Sequence, residues 1–272
     1  MLIAQISDTH IKPAGKLAYR VVDTAGCLAR CVEHLLALAP RPDVVLATGD
    51  MVDAGRPDEY RQLRQLLAPL PMPVFLIPGN HDDREALAGA FPDHEYLPKD
   101  GRYLQYVVEG YPVRLVGLDT LVPGEPGGLM DGERLAWLDA RLAEAPDRPT
   151  VLFMHHPPFA TGIRPMDEQG LDGAEAMREV VGRHPQVERV LCGHLHRPIQ
   201  VRWAGTVAST APSPAHQVVL DLRPDAPDTF ALEPPACQLH LWRPDAGLVS
   251  HTSYVGTFPG PYPFHEHGRR ID

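Results

Sequence analysis

Six short, nearly unbroken runs of Val, Ile and Leu constrain the fold of this chain most, at residues 2–6, 44–47, 74–77, 113–118, 151–154 and 187–192. Runs of this kind suit strands buried on both faces. Between them lie helical patterns at 17–39, 58–67, 83–90, 131–145 and 173–183, each ending near Pro or another breaker. Such alternation predicts βαβ units, hence an α/β fold with a parallel-rich first sheet over about 1–198. After Ile199 the pattern changes to short alternating segments at 200–203, 207–210, 216–220, 237–241 and 248–254. These predict an antiparallel second sheet over about 199–255, and 103–118 reads as a hairpin joining the two sheets. Residues 1–255 then form one domain, and 256–272 a Pro-, Gly- and aromatic-rich tail, either surface coil or a homo-oligomer contact.

Chemistry-bearing residues stand directly after five of these runs: Asp8-Thr9-His10, Gly49-Asp50, Gly79-Asn80-His81-Asp82, His155-His156 and Gly193-His194-Leu195-His196. Ligands of open α/β sheets bind beyond the carboxyl ends of the strands, so these segments predict a cluster at one sheet edge. Its Asp, Asn and His donors suffice for two cations. In extended backbone Asp8 and His10 project the same way, as do His194 and His196. A carboxylate can bridge two metals whereas an imidazole nitrogen serves one, so Asp50 suits the shared position. Taken singly, each residue has a plainer role: Asp50 as a helix cap, Asn80 in a turn, any His in core or surface. Their joint occurrence at strand ends favours the metal.

The net charge of -10 leaves no basic surplus to neutralise a nucleic-acid polymer or to hold an anionic membrane. No apolar run is long enough to cross a bilayer, and Met1 leads straight into the first strand, so the expected compartment is the cytoplasm. Cys27, Cys31, Cys192 and Cys237 form no paired framework and read as small hydrophobes.

In this order, D-x-H, GD, GNH, a separate H and GHxH, the motifs resemble the calcineurin-like metallophosphoesterase superfamily over about the first 200 residues. Within it the chain is similar to the class III cyclic nucleotide phosphodiesterases and glycerophosphodiesterases, through 46–50, 77–82, 154–158 and 190–196. The resemblance implies a four-layer αββα sandwich with a dinuclear site at the C-terminal ends of the strands. It assigns one metal to Asp8, His10, Asp50 and His196, and the other to Asp50, Asn80, His155 and His194. Mixed Asp, Asn and His donors suit Mn, Fe or Zn.

The same resemblance leaves His81 free to act on substrate beside Asn80, and pairs it with the Asp53 carboxylate, for which helix capping is the competing role. His216 falls in a segment that turns back toward the cluster and becomes a substrate contact, and the loop 159–172, with Arg164, Met166 and Asp167, a wall of the pocket. The expected reaction is hydrolysis of a small phosphodiester by a hydroxide held between the cations, with His81 aiding the leaving oxygen. Cyclic AMP is the first substrate and glycerophosphodiesters the second. A non-catalytic scaffold on the same fold is the alternative from another class.

Overall fold

The computed structural model describes residues 1–99, 102–267 and 269–270. Strand β1 (Leu2–Ile6) leads to helix α1 (Thr24–Ala37), whose first turn is held by the Asp23 carboxylate, accepting from the Gly26 N–H at 3.0 Å. The helix therefore starts later than residue 17. Ahead of it Ala18 and Val22 exchange two N–H···O bonds of 2.9 Å, closing a tight loop in which Tyr19 and Arg20 have φ of +48° and +67°. The chain continues through β2 (Val44–Thr48), α2 (Pro57–Leu67), β3 (Val74–Ile77) and α3 (Arg84–Ala90). Helix α2 opens on Pro57, and the α3 cap is Asp83, which accepts from Ala86 N–H at 2.8 Å. Then come β4 (Tyr106–Val108), β5 (Arg114–Gly117), α4 (Gly132–Ala143), β6 (Thr150–Phe153), α5 (Ala174–Gly182) and β7 (Val187–Cys192). Beyond these, apart from two-residue bridges at Gly128–Leu129, Leu171–Asp172, His265–Glu266 and Arg269–Arg270, come β8 (Gln200–Trp203), β9 (Thr206–Thr210), β10 (Gln217–Val218), β11 (Phe230–Ala231), β12 (Ala236–Arg243) and β13 (Gly247–Tyr254).

Two main sheets result, ordered β13-β12-β1-β2-β3 and β8-β9-β7-β6-β5-β4, and β10 pairs with β11 in a separate two-stranded ribbon. In the first, β1, β2 and β3 are parallel and β12 runs antiparallel to β1. In the second, β5, β6, β7 and β9 are parallel, with β4 and β8 as antiparallel edges. The expected division into a first sheet over 1–198 and a second over 199–255 is therefore corrected. The six apolar runs split three and three, and the later strands extend both sheets. Apolar runs report burial on both faces, and a sandwich gives that environment to both sheets, so the pattern carries no information on which strands are neighbours. The hairpin β4–β5 forms an outer edge of the second sheet rather than a link between sheets.

Helices α1, α2 and α3 cover the first sheet through Leu28, Leu35, Tyr60, Leu63 and Leu87, and this core reaches Leu115, Phe153 and Leu191 of the second. Helices α4 and α5 cover the second sheet through Leu138, Met177 and Val181. This is the αββα layering. Each fully buried Leu contributes about 1.5–3 kcal/mol relative to exposure. Beneath the site the buried Gln5 amide ties the sheets, donating to Thr48 Oγ1 (3.0 Å) and the Cys192 carbonyl (2.9 Å). All four cysteines are free, three of them buried and Cys27 half-buried. No helix among the described residues is long and apolar enough to cross a membrane. In the tail, Phe258, Tyr262 and Phe264 are exposed.

Candidate metal centre

The turns after β1, β2, β3, β6 and β7 converge, and the backbone after β1, β2 and β7 is strained. Asp8, His10, Asp50, His194 and His196 have φ of +55°, +43°, +51°, +71° and +52°. Left-handed backbone at non-glycine residues persists only where surrounding structure enforces it. It also corrects the expectation for Asp8 and His10, and for His194 and His196, which meet through left-handed turns rather than extended alternation.

The enforcing bonds run between turns. Asp8 and His10 N–H donate to the Gly49 and Asp50 carbonyls, each at 3.0 Å, Gly193 N–H to the His155 carbonyl at 2.9 Å, and His194 N–H to Asp8 Oδ1 at 3.0 Å. Asp82 clamps two turns, its carboxylate accepting from Gly79 N–H (2.9 Å), Met51 N–H (3.2 Å) and the Tyr60 hydroxyl (2.9 Å). Glycine is required at Gly79, where a Cβ would stand 2.3 Å from Asp50 Oδ1, and at Gly49, where φ is +89° and a Cβ would stand 2.5 Å from His155 Nδ1.

The side chains fall into two groups around Asp50. His10 Nε2 lies 3.2 Å from His196 Nε2 and 3.7 Å from Asp50 Oδ2, and His196 Nε2 lies 3.5 Å from Asp8 Oδ1. On the other side His155 Nε2 lies 3.4 Å from Asp50 Oδ2 and 3.1 Å from Asn80 Oδ1. Donors that share one tetrahedral ion at about 2.0–2.2 Å lie about 3.2–3.6 Å from each other, which these separations approach. Asp50 Oδ1 meanwhile accepts from His81 N–H at 2.8 Å, which turns Oδ2 toward both groups. Asp8 Oδ2 and His194 Nε2 are buried without a hydrogen-bond partner. Buried unpaired acceptors beside facing imidazole nitrogens fit divalent cations.

Electrostatics divide the donors. Burial opposes charge on Asp50, yet His155, His81 and His10 hold its carboxyl well below the usual carboxylate range. Burial works against protonation of His155 too, but Asp50 outweighs it and lifts the imidazole to about 9. Burial pushes Asp8 up to about 6. It lowers His196 to about 3 and His194 well below the ordinary imidazole value, leaving both neutral with a lone pair to donate.

Asp53 and His81 meet differently from expectation. His81 Nδ1 lies 2.7 Å from the Asp53 backbone carbonyl, whereas the Asp53 carboxylate pairs with Lys12 and stands 3.7 Å from His10 Nδ1. A carbonyl only accepts, so Nδ1 carries the hydrogen and Nε2 is left for a ligand. Nor is Asp53 a helix cap, since α2 is preceded by Arg56. Asp53→Asn keeps the carbonyl and removes half of a partly exposed ion pair worth about 0–1 kcal/mol. Turnover is expected to stay within about threefold of the parent; a steady-state loss as large as that of a His81 variant would restore a carboxylate role.

His156 is fully engaged, with Nδ1 2.8 Å from Thr120 Oγ1 and Nε2 3.1 Å from the Pro126 carbonyl. His216 is buried; its carbonyl accepts from His196 Nδ1 at 2.9 Å and its ring lines the cleft. That cleft, about 340 Å³, is walled by His10, Asp50, Asn80, His81, His194 and His196 and rimmed by Tyr19, Met166, Gln169, Asp228 and Phe230. Met166 meets its expectation, while Arg164 pairs with Glu168 and Asp167 accepts from Thr161 and Gly162. Gln169 falls within the loop expected to wall the pocket, but Tyr19, Asp228 and Phe230 were not legible as site residues: Tyr19 hides in an apparent helix, Asp228 sits in a loop without motif spacing, and Phe230 in the short strand β11.

Residues 1–198 match the calcineurin-like phosphoesterase family profile. A protein of Arcobacter nitrofigilis named probable glycerophosphodiester phosphodiesterase is 44% identical over 274 residues, covering 100% of each chain. The 3',5'-cyclic adenosine monophosphate phosphodiesterase of Escherichia coli K12 is 30% identical over 211 residues, 78% of this chain and 75% of that one. Among solved structures, a dimetal phosphatase from Danio rerio superposes with a TM-score of 0.63 at 17% identity, covering 94% of this chain and 99% of that one.

Proposed function

The chain belongs to the calcineurin-like phosphoesterase family, and from that premise we propose that it hydrolyses small linear phosphodiesters, glycerophosphodiesters first. In this reading Asp8, His10, Asp50 and His196 hold one divalent cation and Asp50, Asn80, His155 and His194 the other, as manganese, iron or zinc. When bound, the pair supplies Lewis acidity and lowers the pKa of water toward ~7. Hydrolysis joins the oxygen of water to phosphorus and releases one alcohol, whose oxygen must gain a proton. His81 is the donor: its Nδ1 is occupied by the Asp53 carbonyl, and its Nε2, when protonated, hands a proton to the departing oxygen. Asn80, half-buried beside it, offers an amide to a phosphoryl oxygen.

One observation favours linear diesters over the cyclic nucleotide ranked first on sequence. Asn80 and His81 wall two clefts at once, the aromatic-rimmed one of about 340 Å³ and a polar one of about 470 Å³ lined also by Asp53, Asp83, Arg84 and Glu85. A diester with two separate alcohols has an arm for each, the polar cleft suiting glycerol hydroxyls; a 3',5'-cyclic phosphate carries both ester oxygens in one ring. The full-length similarity to the Arcobacter protein points the same way. The tilted Tyr19–Phe230 pair, centroids 4.9 Å apart, keeps cyclic AMP as the second reading, because such a pair can stack a purine.

A hydrolysis panel under defined manganese loading tests the order. Glycerophosphoglycerol is expected to exceed cyclic AMP in kcat/KM by about tenfold or more. The reverse ranking would make the cyclic nucleotide the substrate, and no hydrolysis of any diester by metal-loaded protein would favour the scaffold.

A further inference from the structure

We propose that the chain also hydrolyses singly acylated glycerophosphodiesters, with the acyl chain lying in a largely apolar cleft beside helix α3. The inference rests on the phosphodiesterase reading and extends its substrate class from water-soluble diesters to lysophospholipids taken up as single molecules.

Three clefts follow one another along the surface. The aromatic-rimmed cleft and the polar cleft share Asn80 and His81, and the polar cleft shares Arg84 and Glu85 with a third, of about 800 Å³, that the reaction described above leaves unused. The third cleft is walled by Ala88, Gly89, Phe91, Leu97 and Leu104. Phe91, Leu97 and Leu104 belong to the buried core, so its floor is preformed. Gly89 keeps it open, because a Cβ there would meet nothing within 4 Å. Small-molecule sites have this size and this mixture of apolar walls with few polar groups. Along α3, Arg84 and Gly89 are about 7.5 Å apart, so an acyl chain carried by a glycerol hydroxyl in the polar cleft has a short path to Gly89.

Charge favours a hydrocarbon arm over a second anionic group. Arg84 is neutralised by the buried Asp119 through bonds of 2.7 and 2.8 Å, and Arg102 by Glu133 at 2.7 Å. Glu85 and Lys99, of opposite sign, stand exposed at the mouth, so the charge around the cleft balances. The reaction keeps its form. The oxygen of water joins phosphorus, the bond from phosphorus to the headgroup oxygen breaks, and that oxygen takes the proton of His81 Nε2. The proton lost by the water replaces it, and the products are an acylglycerol phosphate and the headgroup alcohol. The headgroup oxygen is the one protonated because His81 Nδ1 meets Asp53, which lines the polar cleft and not the aromatic-rimmed one, so Nε2 faces the headgroup side.

The test compares octanoyl lysophosphatidylglycerol, kept below its micelle concentration, with glycerophosphoglycerol, which shares its headgroup and lacks the chain. The parent enzyme is expected to show a KM lower by about tenfold or more for the octanoyl diester, with kcat within about threefold and the butanoyl diester between the two. Gly89→Phe fills the cleft and should raise the octanoyl KM about fivefold or more, with glycerophosphoglycerol changed by less than about twofold. Ala88→Phe is the second variant, read instead should a thermal melt show the first misfolded. Equal KM values in the parent, or equal changes for both diesters in a folded variant, would overturn the proposal. Hydrolysis of bis(p-nitrophenyl) phosphate is the separate control, because its absence in the parent would strike the phosphodiesterase reading alone. In that case calorimetry with octanoyl lysophosphatidylglycerol still reads the cleft: binding that Gly89→Phe abolishes supports the assignment of the acyl chain. No binding, or binding that octanoate alone reproduces, ends it.

Discussion

Asp50→Ala is expected to lower kcat/KM for every diester by about 10³-fold or more and to leave the purified protein short of both cations. The size follows from the position of one carboxylate. Oδ2 lies 3.7 Å from His10 Nε2 and 3.4 Å from His155 Nε2, and Oδ1 accepts from His81 N–H at 2.8 Å, so one truncation touches both donor groups and the backbone that carries His81. The lost bond from His81 N–H to a charged acceptor costs about 1.5–3 kcal/mol of stability, which a domain of ordinary stability survives. Asp50→Asn separates the effects. It keeps an oxygen for His81 N–H, so a thermal melt should recover toward the parent, while elemental analysis should still find metal depleted. Full metal occupancy in either variant, with activity near the parent, would remove Asp50 from the shared position.

His81→Ala carries the second large effect, a fall in kcat of about 10²–10⁴-fold on diesters of alkyl alcohols. A glycerol alkoxide is a poor leaving group and needs the proton that Nε2 brings, whereas p-nitrophenolate leaves without one. The same variant should therefore lose about tenfold or less on bis(p-nitrophenyl) phosphate. Metal content should be unchanged, because His81 Nδ1 bonds the Asp53 carbonyl and stands outside the proposed ligand set. Equal losses on both substrates would deny the proton-donor role and leave His81 as a binding group.

What sequence could and could not reveal follows the physics of each element. The strands were legible because burial on both faces selects Val, Ile and Leu, and the strand ends because Asp, Asn and His stand there together. Assignment of strands to sheets was not, since an apolar run is the same in either layer of a sandwich; β5, β6 and β7 show this. Left-handed backbone at Asp8, His10, Asp50, His194 and His196 leaves no compositional trace, because none of the five is glycine. Residues Leu17 to Val22 continue the apolar period of α1, and only the Asp23 cap reveals that they turn instead and carry Tyr19 to the cleft. For His81 the neighbour was right and the atom wrong: the family resemblance points to Asp53, but whether a carbonyl or a carboxylate meets the imidazole depends on Lys12, which draws the side chain away.

The central claim, two cations sharing Asp50, is tested most directly by anomalous diffraction from crystals of manganese- or zinc-loaded protein. Two peaks about 3.5–4 Å apart are expected, one bonded to His10 and His196, the other to His155 and His194, with Asp50 reaching both. A single peak, or two too distant for one carboxylate to join, would contradict the account.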